Sequence, residues 1–336
     1  MHHPPTRRHR LTVLALGVTT AISLTACGSP TDDAGGRSAS PSASPSPKGV
    51  VDRDTAATVV DAYEKANNKA NATQDAKLLG TVEAGQVHEQ AKADYQQWST
   101  FTKKRKKEYT TPFFYRDREY YIPAASSGAT WFAVTARSRQ DQQAPRGLLV
   151  FDRVDGRYKM TAALELKGGL KIARDKDGFA VPADPAKKVG TLAPDQLGEY
   201  EDFFETGGKE AKRFFAATQD SRESTKVYND RNKGETGPWA TTSYARQKPS
   251  HPAVYALNLA SGGVLAVFPT AHTEKTLLKP AYIYNHKITP GPKAAVYNST
   301  PRIAVINTYE GLGLAELHPQ KKAAVTELEY RLTDSE

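Results

Sequence analysis

The sequence predicts an α+β protein with helices packed on curved antiparallel sheets. Segments with helical periodicity precede segments with strand periodicity in the folded part of the chain, and this order occurs a second time after residue 190. The 16 tyrosines and 11 phenylalanines also favour strands. With 336 residues, the chain is long enough for two domains of ordinary size.

The first fifty residues are predicted to be targeting and linker segments. Arg7, Arg8 and Arg10 precede an uncharged apolar run over residues 11–26, which is short for a membrane-spanning helix and typical of a signal peptide. Residues 28–50 are mostly Ser, Pro, Gly and Ala, so we expect a disordered tether. Both the general and the twin-arginine export routes stay open.

The apolar run ends in Leu24-Thr25-Ala26-Cys27, which resembles a bacterial lipobox. The resemblance implies cleavage before Cys27 and attachment of diacylglycerol to its thiol, with membrane lipid as the partner. Cys27 is the one cysteine in the chain, which excludes disulfides and cysteine-based zinc sites. The expected location is therefore the extracytoplasmic face of the cell membrane, held by a lipid anchor.

The first half of the folded part contains two predicted helices followed by strands. Apolar residues recur three or four positions apart over residues 54–72, where Asp54 can cap the start, and again over residues 84–101. Asp155-Gly156 between two apolar runs predicts a β-hairpin. The predicted strands of this half are residues 113–115, 120–122, 130–134, 148–152 and 157–166.

The second half repeats the order of helices before strands. Residues 168–191, rich in Gly, Pro and Lys, are predicted to be a connector, followed by helices over residues 194–204 and 209–217. The predicted strands are residues 254–259, 264–268, 281–286, 302–309 and 325–332. The predicted divisions are a signal peptide (1–26), a lipidated tether (27–50) and two α+β domains (51–185 and 186–336).

The hairpin of residues 149–160 resembles NTF2-like, or cystatin-like, α+β cone domains, through its Asp155-Gly156 turn and its Tyr158-Lys159 pair. The resemblance implies two cone-type halves, each with helices on a curved sheet around a cavity. Together with the lipobox and the tether, it makes the whole chain similar to uncharacterised surface lipoproteins of actinobacteria.

The positive charge is unevenly distributed. Loss of the signal peptide lowers the formal net charge from +9 to +6, and the excess lies in residues 51–189, because residues 190–336 contain equal numbers of cations and anions. Its densest point, the basic run, consists of Lys103, Lys104, Arg105, Lys106 and Lys107. This run is interpreted either as a contact for anionic lipid headgroups or wall polymer, or as a solvated loop. No motif that reads nucleic acid accompanies it.

Reactive motifs are not found in the sequence. His88-Glu89 begins like a zinc metalloprotease helix, but Lys92 stands where the second histidine is needed. There is no Gly-x-Ser-x-Gly elbow and no Ser-x-x-Lys, and Gly311-Leu312-Gly313 lacks the third glycine of a dinucleotide loop. We therefore expect no catalytic residues, no metal and no cofactor.

Two functions are compatible with these observations. The first is a non-catalytic binding or adaptor lipoprotein at the cell envelope, which the lack of reactive motifs favours. The alternative is a hydrolase or isomerase that acts in a cone-shaped pocket through an Asp/His pair brought together by folding. A polar pocket that holds a close carboxylate–imidazole pair would favour the enzyme, whereas a filled apolar interior would favour the binding protein.

Overall fold

The structure, a computed structural model, describes residues 48–138, 145–169 and 171–336. The helices are α1 (Arg53–Thr73), α2 (Ala76–Leu79), α3 (Gly85–Gln96), α4 (Lys103–Thr110), α5 (Asp202–Glu205) and α6 (Gln219–Asp230). The strands are β1 (Arg116–Tyr121), β2 (Trp131–Arg137), β3 (Arg146–Val154), β4 (Arg157–Leu166), β5 (Ala240–Gln247), β6 (Tyr255–Asn258), β7 (Val264–Leu278), β8 (Ala304–Leu317) and β9 (Ala324–Ser335). Short 3₁₀ helices cover Gln97–Thr100, Ala125–Ser127, Pro194–Glu201, Ala211–Arg213, Pro280–Tyr282 and Ala294–Val296.

The strands form two antiparallel sheets. The first sheet has the order β1-β2-β3-β4, and the second has the order β5-β7-β8-β9 with β6 paired to β7. The hairpin predicted at Asp155-Gly156 joins β3 to β4, and both turn residues have positive φ, 51° and 77°. These sheets confirm the predicted α+β class with antiparallel pairing.

The two sheets pack face to face and share an apolar core. Leu148, Val150 and Leu164 of the first sheet belong to the same buried cluster as Leu265 and Leu314 of the second. The outer face of the first sheet packs against α1, and the outer face of the second packs against α5, α6 and the 3₁₀ helix Pro194–Glu201. The order of layers is therefore helix, sheet, sheet, helix.

Helix α1 forms where its sequence predicts. The Asp52 carboxylate accepts a hydrogen bond from the Thr55 backbone N–H at 2.7 Å, which caps the first turn. Ala56, Val60 and Tyr63 lie on one face and are buried against the first sheet. Burial of this face stabilises a helix that propensity alone would leave marginal.

Several predicted elements are wrong at the level of single segments. Residues 113–115 precede β1 and form no strand, and residues 281–286 begin as a 3₁₀ turn after Pro280 rather than as a strand. Residues 209–217 contain only a 3₁₀ turn, because the chain there pairs Phe215 with Ala323. Helix α6 and strand β5 were not predicted.

The predicted boundary at residues 185 and 186 falls between the two sheets. Residues 47–336 nevertheless belong to one compact unit, and Tyr255 of β6 contacts the first sheet directly. Its hydroxyl donates to Asp152 Oδ2 at 3.0 Å, and its ring meets Trp131 edge-on at 5.4 Å. The division into two domains stays a prediction.

Candidate functional site

The shortest histidine–carboxylate contact in the described part of the chain joins Glu201 to His272. Glu201 ends the 3₁₀ helix Pro194–Glu201, and His272 lies in the middle of β7. The Nδ1 atom of His272 is 2.8 Å from Glu201 Oε2. Because a carboxylate only accepts, the imidazole donates through Nδ1–H.

Two hydroxyl groups bind the other oxygen of the same carboxylate. Thr270 and Tyr330 both donate to Glu201 Oε1, the tyrosine at 2.6 Å. Glu201 is therefore fully hydrogen-bonded inside the protein, as a buried charge needs to be. We call Glu201, Thr270, His272 and Tyr330 the buried cluster.

A glycine makes room for the tyrosine of this cluster. Gly311 of β8 is paired with Tyr330 of β9, and a Cβ atom at Gly311 would lie 2.5 Å from Tyr330 Cε1. Gly313 accommodates the Phe268 ring in the same way, at 2.4 Å. The Gly-Leu-Gly segment is thus explained by close packing of aromatic rings on a strand, not by phosphate binding.

Aromatic rings enclose the imidazole. Phe204 stacks on His272 with 4.6 Å between ring centroids, and Tyr309 stacks on it at 5.2 Å. Tyr244 and Tyr330 pack around it at 5.7 and 4.9 Å. The side chains of His272 and Glu201 are 3% and 0% exposed, so the pair is closed to solvent.

The electrostatics of the cluster favour the ionised carboxylate. Burial acts to raise the pKa of Glu201, but the neighbouring His272 and the hydrogen bonds from His272, Thr270 and Tyr330 outweigh it and hold that pKa below its usual value. Burial and the Glu201 charge together raise the pKa of Tyr330 well above its ordinary value. The tyrosine therefore stays protonated as a donor.

A second buried polar set joins α3 to the second sheet. Gln86 and Ser250 donate to the Glu310 carboxylate, Ser250 Oγ at 2.6 Å. Gln90 donates to the backbone oxygens of Glu310 and Glu329 at 3.1 and 3.2 Å. Gln97, just past α3, donates to Leu332 O at 2.6 Å. The polar face of this helix is thus an internal contact.

The basic run forms the first part of α4, not a loop. Thr102 caps the helix, with its Oγ1 accepting from the Arg105 backbone N–H at 3.2 Å. Arg105 forms an ion pair with Asp94 at 3.1 Å, and the Nζ atom of Lys106 lies 5.8 Å above the Trp98 ring. The side chains left exposed to solvent are those of Lys103, Lys104 and Lys107.

The remaining predicted residues do not converge on a site. Cys27 and the lipobox residues Leu24, Thr25 and Ala26 lie outside the described residues. The His88 Nδ1 atom is 3.9 Å from Glu83 Oε2. Within the ranges that the structure describes, no group of three or more His, Cys, Asp or Glu could hold a metal ion.

The aromatic residues of the first half divide between core and surface. Phe132 and Tyr121 are buried, whereas Phe114 is 50% exposed. Phe132 stacks on Phe151 at 5.2 Å and fills the space between α1 and the first sheet. The interior of the first half is therefore packed where the cone resemblance implies a cavity.

Among the grooves on the described part of the surface, two lie away from the buried cluster. One, of about 970 Å³, lies beside Arg53, Arg118 and Arg174. The other, of about 660 Å³, lies along α6. Neither is lined by Glu201 or His272.

The residues of the buried cluster carry little local signal in the sequence. Thr270, His272 and Glu274 alternate with Ala271 and Thr273, which is the pattern of a strand with one solvated face. The partner Glu201 is about 70 residues away in the sequence. The one available signal was a pair of glycines in β8, because glycine in a strand often marks close approach of another group.

Comparison with known proteins finds uncharacterized lipoproteins among those similar to the chain. It is 29% identical over 322 residues to an uncharacterized lipoprotein of Streptomyces coelicolor, covering 92% of this chain and 89% of the relative. It is 26% identical over 276 residues to an uncharacterized lipoprotein of Streptomyces avermitilis, covering 80% and 77%. No solved structure matches. In the part of the chain that the structure describes, no helix is both long and apolar enough to span a membrane.

The family match covers nearly all of the folded part. Residues 47–336, which include both sheets and the buried cluster, match the family described as Domain of unknown function (DUF8094). The chain belongs to this family.

Proposed function

We propose that the protein is a lipid-anchored binding or adaptor protein on the extracytoplasmic face of the cell membrane. In this proposal residues 1–26 are a signal peptide, and the Cys27 thiol carries the lipid and the tether of residues 28–50. The lipoprotein relatives and the segment Leu24-Thr25-Ala26-Cys27 support the anchor. The family match supports a conserved folded body beyond the tether.

One observation carries the binding role over catalysis. The Glu201–His272 pair has the composition of an acid–base pair, but its side chains are 0% and 3% exposed and aromatic rings enclose them. A general base must come within hydrogen-bonding distance of a substrate proton. Both oxygens of Glu201 already accept from protein donors. The pair therefore supports a role in holding elements together.

The alternative, a hydrolase or isomerase, requires His272 to be reachable in the folded protein. Treatment of the native protein with diethyl pyrocarbonate, followed by peptide mass spectrometry, tests this. The exposed His286 serves as the internal control, because its imidazole is open to solvent. We expect modification of His286 and none of His272 before unfolding. Modification of His272 in the native protein would favour the enzyme.

The anchor is tested by replacing Cys27 with alanine and fractionating the cells. We expect the Cys27→Ala protein to leave the lipid-anchored membrane pool, while the matched tether variant Ser38→Ala stays in it. Protease digestion of intact cells tests the location, since an extracytoplasmic body is cleaved without lysis. A Cys27→Ala protein that keeps its acyl chains, as measured by mass spectrometry, would refute the anchor.

The NTF2-like character of the halves belongs to this proposal as well. The helices of the first half precede its sheet in the chain, and α1 packs across one face of that sheet. This arrangement supports a cone-type first half whose interior is filled by side chains such as Phe132. An experimental structure of the first half that shows a different strand order would overturn it.

A further inference from the structure

The groove along α6 is lined by residues of this helix on one side and by residues from other segments on the other side. Helix α6 contributes one side, and Lys212 with Lys322 contributes the other, where Lys322 Nζ donates to the Lys212 backbone oxygen at 2.6 Å. Phe203 and Phe215 form the floor and are 2% and 3% exposed. The groove therefore offers polar walls and little open apolar surface.

The walls carry five cations and one carboxylate. The cations are Lys212, Arg222, Lys226, Lys233 and Lys322, and the carboxylate is Asp230. Residues four apart on a helix follow one another along its axis at about 6 Å. The charged side chains that α6 contributes to the groove, those of Arg222, Lys226 and Asp230, therefore form a row along the helix. All five cationic side chains are exposed to solvent.

The single carboxylate is already neutralised by its neighbours. Lys226 and Lys233 both bind Asp230, the second at 2.9 Å. Hydrogen bonds from these two lysines lower the pKa of Asp230 to about 2, so it stays ionised and paired. Lys212, Arg222 and Lys322 have no carboxylate partner among the residues that line the groove, and Arg222 and Lys322 donate to backbone oxygens, which leaves a net positive wall.

The composition of the second half hides this patch. Residues 190–336 contain 17 basic and 17 acidic residues, yet five of those cations line one groove. In the basic run, by contrast, Arg105 is paired with Asp94 and Lys106 packs on Trp98. A local excess of accessible positive charge thus also lies on the half whose total charge is zero.

We propose that the α6 groove binds a linear, phosphate-bearing polyanion. Four of its five cations are lysines, whose compact ammonium groups bind phosphate as point charges. Arg222 and Lys226 are one turn apart on α6 and Lys233 follows its end, so the cations are spread along the groove and fit a chain of phosphates better than a single ion. The proposal rests on the proposed binding function and names the class of ligand.

The test measures binding of inorganic polyphosphate to the purified full-length protein in a non-ionic detergent. The variant Lys212→Gln/Lys322→Gln removes the wall opposite α6, and Lys248→Gln/Lys287→Gln removes two exposed lysines elsewhere in the same half as the matched control. We expect at least about fivefold weaker binding for the groove variant, and little change for the control, since a charge-assisted hydrogen bond contributes at least that factor. Added salt should weaken wild-type binding.

The probes separate this ligand class from others. Orthophosphate should bind far more weakly than polyphosphate, because it reaches only part of the row. Equal weakening in both double variants, tighter binding of poly-glutamate, or binding only to vesicles with anionic headgroups would each overturn the proposal. Because the anchor does not enter these measurements, failure here leaves the Cys27→Ala fractionation result standing on its own.

Discussion

The two sheets of the protein are buried by different chemistry. The outer face of the first sheet is covered mainly by apolar contacts around Phe132, Phe151 and Met160, and beside them the Tyr63 hydroxyl donates to the buried Glu83. On the outer face of the second sheet, Val264 and Phe268 of β7 are buried by apolar contacts. Further along β7 the buried residues of this face are polar, namely Thr270 and His272. An apolar face needs only hydrophobic neighbours, whereas a buried polar face needs a partner for each donor and acceptor.

This difference explains why one sheet was easier to predict than the other. Any apolar side chain of suitable volume can cover Phe132, so local periodicity is sufficient to predict the strand. His272 needs Glu201 from a different element, and Glu201 needs Tyr330 from the last strand. Such contacts depend on the tertiary structure and leave almost no local signal.

The largest expected effect comes from removing the shared carboxylate. Glu201→Ala leaves His272, Thr270 and Tyr330 without their acceptor inside the protein, so we expect the free energy of unfolding to fall by about 3–5 kcal/mol. The same loss is expected for Phe132→Ala in the first sheet. Urea unfolding measures both.

Glu199→Ala is the matched control, because Glu199 is half-exposed and its pairing with Arg246 is at the surface. We expect it to cost no more than about 1 kcal/mol. If Glu201→Ala lowers the free energy of unfolding as little as the control does, the buried cluster does not stabilise the second sheet. The contrast drawn between the two sheets would then be wrong.

The next effect concerns the glycine under Tyr330. Gly311→Ala places a Cβ atom within 3 Å of the Tyr330 ring and of Thr270 Cγ2, so the ring must move away from Glu201. We expect a loss of about 1–3 kcal/mol in thermal or urea unfolding. Gly198→Ala is the control, since no atom lies within 4 Å of its added Cβ. A neutral Gly311→Ala would contradict the packing described for β8 and β9.

The inner face of the second sheet gives a pH dependence. Burial raises the pKa of Glu327 to about 7, and the nearby carboxylates of Glu329 and Asp220 add to this effect. Lys167, whose Nζ atom is 2.7 Å from Glu327 Oε2, acts in the opposite direction. A carboxyl group whose pKa is raised in the folded state binds its proton more tightly there. Its contribution to stability is therefore complete below the unfolded-state pKa and is lost as the pH rises through about 7.

We expect Glu327→Gln to flatten the decline in unfolding free energy between pH 5 and pH 8 by about 1–3 kcal/mol. Urea unfolding at several pH values measures the slope. Glu119→Gln, on an exposed position of β1 in the first sheet, should leave the slope unchanged. A slope that stays the same in Glu327→Gln would show that this carboxyl group titrates normally.

The smallest effect on stability is expected at α4, whose exposed lysines make few contacts. Lys103→Gln/Lys104→Gln/Lys107→Gln should change the unfolding free energy by less than about 0.5 kcal/mol. Transfer of the lipidated protein from vesicles with anionic headgroups to acceptor vesicles should become several-fold faster, and more so at low salt. Equal transfer rates for this variant and Lys65→Gln/Lys69→Gln/Lys77→Gln would remove α4 as a membrane contact.

Much of the fold could be predicted from the sequence, and most of the site could not. The periodicity of residues 54–72 predicted α1 to within one residue at each end, because apolar residues recur at helical spacing along it. Helix α6 was missed because few of its residues are apolar, although Thr218 and Ser221 form a capping pair. Residues 281–286 are aromatic enough to suggest a strand, but Tyr284 is 89% exposed and pairs with no strand.

The side chains of Lys167, Gln90 and Gln97 donate hydrogen bonds to β9 and so affect whether that strand can pair with another molecule. Strand β9 is an edge of the second sheet, and its backbone oxygens at Thr326, Glu329 and Leu332 accept from side chains. An approaching strand from another copy would have to displace those donors before it could extend the sheet. On a membrane surface, where the proposed lipid anchor would bring neighbours together often, this edge would resist the growth of intermolecular sheets.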